Sequence, residues 1–580
     1  MPIVRNARPS KSHPLNNILT ILRLVLLNAR VAVLNTHWNL LMFAPRIRSV
    51  LFSLIALVIC LPVVALILSW LEWNATSSQV LQEMAQTVLP DYAVTSLLLC
   101  LGVAAGVTVL GTSTAAAVTL FKFPGHSFFE WALLLPMAIP AYVVAYAYTD
   151  FLQFSGPLQN FIRLQTGAEG RVLPEIRSLG GAILVFSLAL YPYVYLLART
   201  ALSERASQLM EAARMLGAPL HRRIMEVAIP LARPAVAAGI ALALMETLAD
   251  FGVSSYFGIQ TFTAGIYKAW LIMDNRIAAA QLATLLLGTV LLLLQLEKIA
   301  QARMRFSSMR AGVSSSSDAQ PTLLKGVKGL ALMAWCTLPL FLGFALPVLL
   351  MLKPMIASDI DIPWDRFFNW SFNSLQLGLV TSVLAVIAAL ALSFNSRNKP
   401  DAFSRTATIL VGLGYAIPGA VVVVGLLLPV TWLQSYWPNS QIGFWLTATT
   451  LGLIWAYLVR FCAVALQSVQ SGYARIPVSL DDSSRMLGVS GFKLLTRVHT
   501  PLLKRSIFAA ALLVFVDVMK ELPATLVLRP FNTDTLAVMA YQLARDERLG
   551  EAALPSLALV LVGLIPVILL SRAMKKSTRT

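Results

Sequence analysis

The chain has 580 residues, of which 58% are hydrophobic and 12% are charged, and its mean hydropathy is +0.74. So few charges cannot cover a soluble globule of this size, which excludes a soluble protein and predicts an all-α, polytopic integral membrane protein. The net charge of +18 would suit a nucleic-acid-binding protein, but the basic residues lie in short loops between apolar segments. We therefore expect no nucleic acid partner.

The chain begins with a basic lead, residues 1–48, which we expect to lie in the cytoplasm or at the membrane interface. Within it, residues 18–43 mix Leu and Val with Arg23, Arg30 and His37. This mixture predicts either an interfacial amphipathic helix or an extra span. Beyond the lead, apolar runs recur that are near or above the ~20 residues needed to cross a bilayer. We place about twelve transmembrane helices at 49–71, 96–121, 128–151, 180–200, 235–257, 278–296, 329–352, 373–394, 407–431, 443–466, 506–527 and 554–571.

The predicted spans form two sets of six. A Ser-rich stretch with basic flanks, residues 297–328, predicts a cytoplasmic linker between a first half at 49–296 and a second half at 329–571. Residues 572–580 are a basic cytoplasmic tail. The third span of each half contains a proline, in the sequences MAIPAYVV and YAIPGAVVV. We infer two homologous halves related by a pseudo-twofold axis normal to the membrane, with the pathway between them.

Each half also carries one polar, basic loop with a shared pattern, at 203–234 and 472–505. In both loops a helical pattern ends at a glycine, and twelve residues separate that glycine from a proline. The pattern predicts a helix, a left-handed turn at the glycine, a second short helix and a break at the proline before the next span. The glycine and proline are Gly217 and Pro230 in the first loop and Gly488 and Pro501 in the second.

These loops resemble the EAA motif of ABC importer permeases, which in that family forms the coupling helix that docks into the ATPase subunit. The first copy matches the motif, whereas the second replaces its Glu and two Ala by Asp and two Ser, which keep the charge and the small size. The residues that the resemblance assigns to ATPase coupling are Glu211, Ala212, Ala213, Gly217 and Pro230 in the first loop and Asp482, Ser483, Ser484, Gly488 and Pro501 in the second.

The chain contains no phosphate-binding loop of the form GxxxxGK[ST], so it has no site of that kind for ATP. We therefore expect no catalytic residue and no cofactor bound by this chain. ATP hydrolysis is expected from a separate cytoplasmic ABC ATPase subunit, in two copies, one for each coupling loop.

Four acidic residues lie inside two predicted spans, at matching positions of the two halves. Glu246 and Asp250 are one helical turn apart, and Asp517 and Glu521 repeat that spacing. Because an ionised carboxylate is costly against lipid, we expect all four to face the protein interior. They could line a substrate pathway, where their oxygen atoms would suit a hard cation. Alternatively, Lys520 and nearby backbone groups could neutralise them in a structural network.

We predict no resident metal site elsewhere, because the five histidines show no paired ligand spacing and the four cysteines contain no CxxC pair. The histidines are expected to be loop or interface residues. The cysteines fall in apolar spans and are expected to pack there as small side chains.

Over about residues 49–571 the two-loop architecture resembles the fused permeases of the ferric-iron uptake family, as do the segments ETLADFG and DVMKELPATLVLRPFNTDTLA. The resemblance implies a lipid-embedded permease of the bacterial inner membrane that imports Fe(III), delivered by a periplasmic binding protein. Fused permeases for thiamine, polyamines and aminoethylphosphonate share the architecture and are alternatives. The loop after the first span carries acids and no Lys or Arg, so the positive-inside rule predicts that both termini face the cytoplasm.

Two other functional classes are considered. An ion-coupled secondary transporter would also have twelve spans, two halves and intramembrane acids, but it would leave the duplicated loop unexplained. A membrane-embedded enzyme would need a HExxH sequence, a nucleophile motif or clustered His and Asp, and we find none of these in the sequence.

Overall fold

A computed structural model describes residues 45–71, 75–203, 207–310, 322–357, 363–398 and 402–577. These ranges are almost entirely helical, which confirms the predicted all-α class. The physical reason is that a spanning segment in lipid must satisfy its backbone hydrogen bonds internally, and a helix does so. The predicted interfacial segment 18–43 lies outside the described residues.

The first half alternates long helices with short ones, and it includes the 3-10 turns Ser69–Leu71 and Leu135–Ala138 and the π-helical segments Arg223–Ala228 and Lys268–Ile272. Its helices and strand are α1 Pro45–Leu68, α2 Ala75–Thr87, α3 Leu89–Leu120, β1 Phe121–Lys122, α4 His126–Ala132, α5 Ala141–Leu152, α6 Pro157–Thr166, α7 Leu179–Ala201, α8 Ser207–Met215, α9 Leu220–Arg222, α10 Ile229–Ala249, α11 Gly252–Tyr256, α12 Phe262–Tyr267 and α13 Arg276–Arg310.

The second half repeats this order, with a 3-10 turn at Gly414–Ala416 and π-helical segments at Phe341–Ala345 and Leu495–His499. Its helices and strand are β2 Thr322–Leu323, α14 Val327–Leu340, α15 Leu346–Ala357, α16 Trp364–Asn398, α17 Ala402–Gly412, α18 Gly419–Tyr436, α19 Ile442–Thr447, α20 Thr450–Tyr473, α21 Val478–Met486, α22 Gly491–Leu494, α23 Thr500–Lys520, α24 Pro523–Leu528, α25 Leu536–Arg545 and α26 Leu549–Ser577.

The described residues contain 10 helical segments long and apolar enough to cross a membrane. A further pair of helical segments, His126–Ala138 and Ala141–Thr166, is bent by 88°, and the number of candidate spans in the described residues rises to 11 if this pair forms one span. The remaining predicted span, 506–527, coincides with α23, which carries four charged residues among its 21 and is therefore less apolar than the others. Each of the twelve predicted spans thus overlaps a helix, although α23 does not qualify by composition alone.

The two halves share one packing plan. In the first half α3, α7 and α10 pack on one another, and in the second half α16, α20 and α23 do the same. The correspondence between the halves extends to the start of α7 and α20, where Ser178 and Thr449 each cap the helix through a side-chain oxygen. The duplication inferred from the loops therefore includes the helices that support them.

The first helix of each half packs on the opposite half. In this exchange α1 contacts α18, and α15 contacts α5. Because Pro62 has no N–H, the Val58 carbonyl has no helical donor, and Nε1 of Trp455 donates to it at 2.8 Å. The Leu342 carbonyl lies in the π-helical turn before Pro347, and the Tyr148 hydroxyl donates to it at 2.7 Å. In both bonds the acceptor is a carbonyl in the first helix of one half and the donor lies in the other half, although the donors belong to helices that do not correspond.

The segment 297–328, expected to be a linker, differs in part from that expectation. Helix α13 continues to Arg310, well past the predicted end of the first half. After the undescribed residues 311–321, β2 pairs in parallel with β1, so that Phe121 lies opposite Thr322. This short ladder attaches the start of the second half to the first half.

Candidate substrate pathway and coupling loops

A cavity of about 470 Å³ is lined by residues of both halves. The structure brings all four predicted acids together in its wall, and it adds two cations and three tyrosines. The charged residues are Glu246, Asp250, Asp517, Glu521, Arg460 and Lys520, and the tyrosines are Tyr142, Tyr193 and Tyr415.

Breaks in helices place these side chains at the cavity. Pro140 and Pro418 each follow a 3-10 turn and begin α5 and α18 with extended backbone, so the third span of each half is interrupted at its proline. The fifth and eleventh spans are interrupted at Asp250 and Glu521, whose ψ angles are 130° and 122°. The chain thus exposes polar groups inside the bundle where it lines a cavity.

Asp250 and Glu521 occupy equivalent positions and perform the same local task. Oδ1 of Asp250 accepts a hydrogen bond of 2.7 Å from the amide of Val253, which caps α11. The Glu521 carboxylate accepts bonds of 3.0 Å from the amides of both Ala524 and Thr525 at the start of α24. These two acids therefore hold the broken helices in place in addition to lining the cavity.

Arg460 is a cavity residue that the sequence analysis did not single out. Its Nη1 lies 3.1 Å from Oε1 of Glu521, and the two side chains are only 12% and 1% exposed. A β-carbon added at Gly419 would lie 2.8 Å from that carboxylate oxygen, so glycine permits the close approach of α18. The sequence does contain a signal for this residue, because it is an isolated arginine inside the apolar span 443–466, and charges inside a membrane span commonly mark functional sites.

The Lys520 side chain hydrogen-bonds a backbone carbonyl of the first half. Its Nζ donates to the Met137 carbonyl at 3.2 Å, and within the described residues it forms no ion pair with a carboxylate. The Tyr142 hydroxyl donates to the Lys520 carbonyl at 3.4 Å. Lys520 therefore connects the second half to the first across the cavity.

Glu246 and Asp517 lie one turn before the helix breaks and form the second matched pair. Both are half-buried in the cavity wall. In contrast to the Asp250 and Glu521 carboxylates, neither carboxylate forms a hydrogen bond or an ion pair in the described part of the chain. Their carboxylates are therefore the acids most available to a solute in the cavity.

The described residues contain no group of three or more His, Cys, Asp or Glu side chains that could hold a metal ion. The four acids are therefore spread along a cavity wall rather than gathered into one coordination sphere. Of the tyrosines, Tyr193 from the first half and Tyr415 from the second both line the cavity, so hydroxyl groups of both halves lie in its wall.

The two coupling loops have the predicted helix-turn-helix form. Helices α8 and α21 both end before a glycine with positive φ, +80° at Gly217 and +77° at Gly488. In each loop the residue after the glycine donates to a carbonyl five residues earlier, from Ala218 to Ala213 at 3.0 Å and from Val489 to Ser484 at 2.9 Å. This bond defines a Schellman C-cap, which glycine favours because it has no β-carbon.

The loops present matching exposed surfaces. Glu211 pairs with Arg214 and Asp482 pairs with Arg485, in each case three residues apart on the same helix. Ala212 and Ser483 are exposed, whereas Ala213 is half-buried and Ser484 is buried. An apolar pair follows in each loop and is exposed by more than four fifths: Met215 and Leu216 in the first, Met486 and Leu487 in the second. We call these four side chains the apolar coupling tips.

The structure shows no break at Pro230 or Pro501. Each proline lies in the first turn of a long helix, α10 or α23, and a π-helical segment leads into it without interruption. The π-helical segment just before each proline changes the local hydrogen-bond pattern, and the chain passes the proline without ending the helix. The second short helix of each loop is therefore continuous with the following span.

A buried polar cluster anchors the second loop. Nε of Arg397, at the end of α16, donates to Oδ2 of Asp481 at 2.7 Å, and Nη2 donates to the Ile476 and Pro477 carbonyls. His499 contacts Asp481 through Nε2 and the Tyr473 hydroxyl through Nδ1. His499 thus lies in the second loop, as expected, but its side chain is buried.

Burial and hydrogen bonding shift the ionisation of this cluster. Burial alone would raise the pKa of Asp481, but hydrogen bonds from Arg397 and His499 outweigh it and hold that pKa below 3.8. Burial also lowers the pKa of His499 below 6.5, although Asp481 acts in the opposite direction.

The first loop has no such cluster at the matching positions. When the halves are aligned on Gly217 and Gly488, the counterparts of Asp481, His499 and Tyr473 are Met210, Ala228 and Leu202, which are all buried apolar residues. The two loops thus present similar outer surfaces on differently built supports.

Comparison with known proteins agrees with this arrangement. Residues 107–306 match the family described as the binding-protein-dependent transport system inner membrane component. The chain is 24% identical, over 90% of its length and 97% of the relative, to the Fe(3+)-transport system permease protein FbpB 2 of Haemophilus influenzae. It is 24% identical to the ferric transport system permease protein FbpB of Actinobacillus pleuropneumoniae, over 71% of this chain and 61% of that one.

A shorter relative matches about one third of the chain. The putative 2-aminoethylphosphonate transport system permease protein PhnU of Salmonella choleraesuis is 26% identical over 34% of this chain and 71% of its own length. All these relatives are transport permeases, a family without enzymatic activity of its own. With its helical membrane fold, two homologous halves and duplicated loops, the chain is an ABC transporter permease of the binding-protein-dependent inner-membrane family.

Proposed function

We propose that this permease imports ferric iron into the bacterial cytoplasm through the cavity between its halves. The observation that carries the proposal is the convergence of Glu246, Asp250, Asp517 and Glu521, from two halves and two broken helices, on one cavity. Carboxylate oxygens suit a hard cation. The names of two relatives that extend over most of this chain support the choice of iron.

Energy for import comes from a separate ABC ATPase, in two copies, one docked on each coupling loop. The apolar coupling tips support this role, because exposed apolar side chains at matching places in both loops suit a partner with two similar grooves. The loops follow the fourth and tenth spans, so they lie on the same side of the membrane. With both termini in the cytoplasm, that side is the cytoplasmic one.

A periplasmic binding protein delivers the substrate to the opposite face. Thiamine and polyamines are cations that the four carboxylates would also attract. They are the less favoured substrates because the relatives described above are named for iron and 2-aminoethylphosphonate. Aminoethylphosphonate has one specific observation in its favour, namely the cations Arg460 and Lys520 in the cavity wall, which could receive a phosphonate.

The test is reconstitution of the chain in liposomes with its ATPase and binding protein. We expect ATP turnover and uptake to rise with Fe(III)-loaded binding protein, and not with thiamine, spermidine or 2-aminoethylphosphonate. If only one of the other solutes stimulated ATP turnover and uptake, that solute and not iron would be the substrate. Uptake that persists without the ATPase and collapses with the ion gradient would instead show a secondary transporter.

A further inference from the structure

Each acid in the cavity wall has an acidic counterpart in the other half of the chain, but neither cation has a basic counterpart. With the halves aligned on their two turn glycines, Glu246 corresponds to Asp517 and Asp250 to Glu521. The counterparts of Arg460 and Lys520 are Ala189 and Ala249, and both alanines also line the cavity. One wall is therefore acidic only, whereas the opposite wall carries acids and both cations.

The two cations have N–H donors that the protein does not use. Arg460 contacts Glu521 through Nη1, while its Nε is enclosed and has no hydrogen-bond partner among the described residues. Lys520 uses one donor, to the Met137 carbonyl. A guanidinium and an ammonium each carry further donors, and enclosed donors without acceptors are costly. An acceptor within the cavity would bond the further donors of these two side chains, both of which line it.

The signs of the charges in the cavity wall indicate which charges the solute should carry. A bare metal cation would be attracted by four carboxylates and repelled by two fixed cations placed among them. A solute with an anionic group would instead supply acceptors to the unused donors, and its cationic centre would remain near Glu246 and Asp250. The second arrangement uses every charged group in the wall.

We propose that the cavity takes a solute of mixed charge, a cationic centre that carries an oxyanion group, with the oxyanion directed towards Arg460 and Lys520. This inference rests on the proposed function, because it assumes that the cavity is the transport pathway. Two sources share this chemistry: a ferric ion with an oxyanion bound to it, and an aminophosphonate with an ammonium and a phosphonate group.

The test changes Lys520, whose contact in the described residues is a neutral carbonyl rather than a carboxylate. Lys520→Gln removes the charge but keeps an N–H donor for Met137, and Lys520→Arg keeps the charge. Uptake of radioactive iron, supplied on the binding protein, and of 2-aminoethylphosphonate is measured in liposomes that contain the full complex.

We expect Lys520→Gln to lower uptake of the transported probe at least about tenfold, because a hydrogen bond to a charged group is lost, while Lys520→Arg retains uptake. Equal or greater uptake by Lys520→Gln, as reduced repulsion of a bare cation would produce, overturns the inference and leaves the proposed function intact. An equal loss in Lys520→Arg also overturns it, since retention of the charge would then make no difference.

The probes separate the two sources. Loss of iron uptake in Lys520→Gln supports a ferric ion with a bound oxyanion. If the wild-type complex moves 2-aminoethylphosphonate and no iron, and Lys520→Gln abolishes that uptake, the inference holds and ferric iron fails as the substrate. A wild-type complex that moves neither probe overturns the proposed function and this inference with it.

Discussion

His499 and Asp481 lie 18 residues apart in the chain, yet their Nε2 and Oδ1 atoms are 3.0 Å apart in a fully buried contact. Asp481 is on the second coupling helix, and His499 is in the π-helical segment that leads into α23. Because α23 continues to the cavity residues Asp517 and Lys520, this contact joins the coupling loop to the helix that lines the pathway.

Removal of Asp481 should destabilise the second loop strongly. Asp481→Ala leaves Arg397 and His499 buried without their acceptor, and breaking a buried ion pair typically costs about 3–5 kcal/mol. We expect a lower unfolding temperature of the detergent-solubilised permease. The control is Asp482→Ala, which removes an exposed pair with Arg485 worth at most about 1 kcal/mol. Equal effects of the two variants would contradict the anchoring role.

The second loop should also lose stability on mild acidification. Burial lowers the pKa of His499 below its unfolded value of 6.5. The neutral imidazole is therefore the folded form, and its contribution is complete above pH 6.5 and is lost progressively as the pH falls to the lowered folded-state pKa. The Asp481 contribution is lost only below pH 3.8, because its pKa is also lowered.

This pH dependence is measurable as protease sensitivity of the loop 472–505 between pH 8 and pH 5. We expect sensitivity to rise in the wild type below pH 6.5 and the pH dependence to be smaller in His499→Gln. His221, in the first loop, is exposed. If His221→Gln reduced the pH dependence as much as His499→Gln does, the effect could not be assigned to His499.

Bulky residues at the two turn glycines should uncouple ATP hydrolysis from uptake. Gly217→Val and Gly488→Val force a β-branched residue into the left-handed region, which costs about 1–2 kcal/mol at each site. The turns should then shift the apolar coupling tips while membrane insertion is retained. ATPase activity and uptake are measured together, with asparagine at both positions as a control because it tolerates this conformation. Normal coupled transport in the double valine variant would count against the docking role.

Polar replacement of the apolar coupling tips should weaken binding of the ATPase. Each methionine or leucine loses apolar contact area, worth roughly 1.5–3 kcal/mol when fully buried in a partner. The double variant Met215→Ser and Leu216→Ser, and its counterpart at Met486 and Leu487, should reduce copurification of the ATPase with the permease. Ile356→Ser changes an equally exposed side chain on α15, away from the loops, and serves as the control. Undiminished copurification would refute the docking surface.

The four cavity acids should separate into two groups. Glu246→Gln and Asp517→Asn should reduce iron uptake with little change in stability, because neither side chain bonds another side chain in the described residues. Asp250→Asn and Glu521→Gln should also destabilise the fold. The loss of a helix cap costs about 1 kcal/mol, and Glu521→Gln in addition leaves Arg460 without its counter-ion.

Iron uptake and unfolding temperature are measured for each variant, with ATPase copurification as a check on assembly. Uptake should fall further than copurification does. Normal iron accumulation after all four replacements would show that iron does not pass through the cavity.

Several features of this protein follow from the sequence alone. Apolar segments of spanning length specify helices in any membrane, so the all-α fold and the approximate spans could be predicted from composition. The duplication was visible because equal offsets relate Gly217 to Gly488 and Glu246 to Asp517. The left-handed turns followed from the glycines, because that conformation depends on local backbone sterics.

Other features were decided only by tertiary structure. Arg460 pairs with Glu521 from 61 residues away, and Lys520 reaches Met137 in the other half of the chain. The cluster of Arg397, Asp481 and His499 likewise depends on how helices pack. Local sequence constrains backbone conformation, but which charges meet, and which donors remain unused, depends on contacts between segments that are distant in the chain and share no sequence pattern.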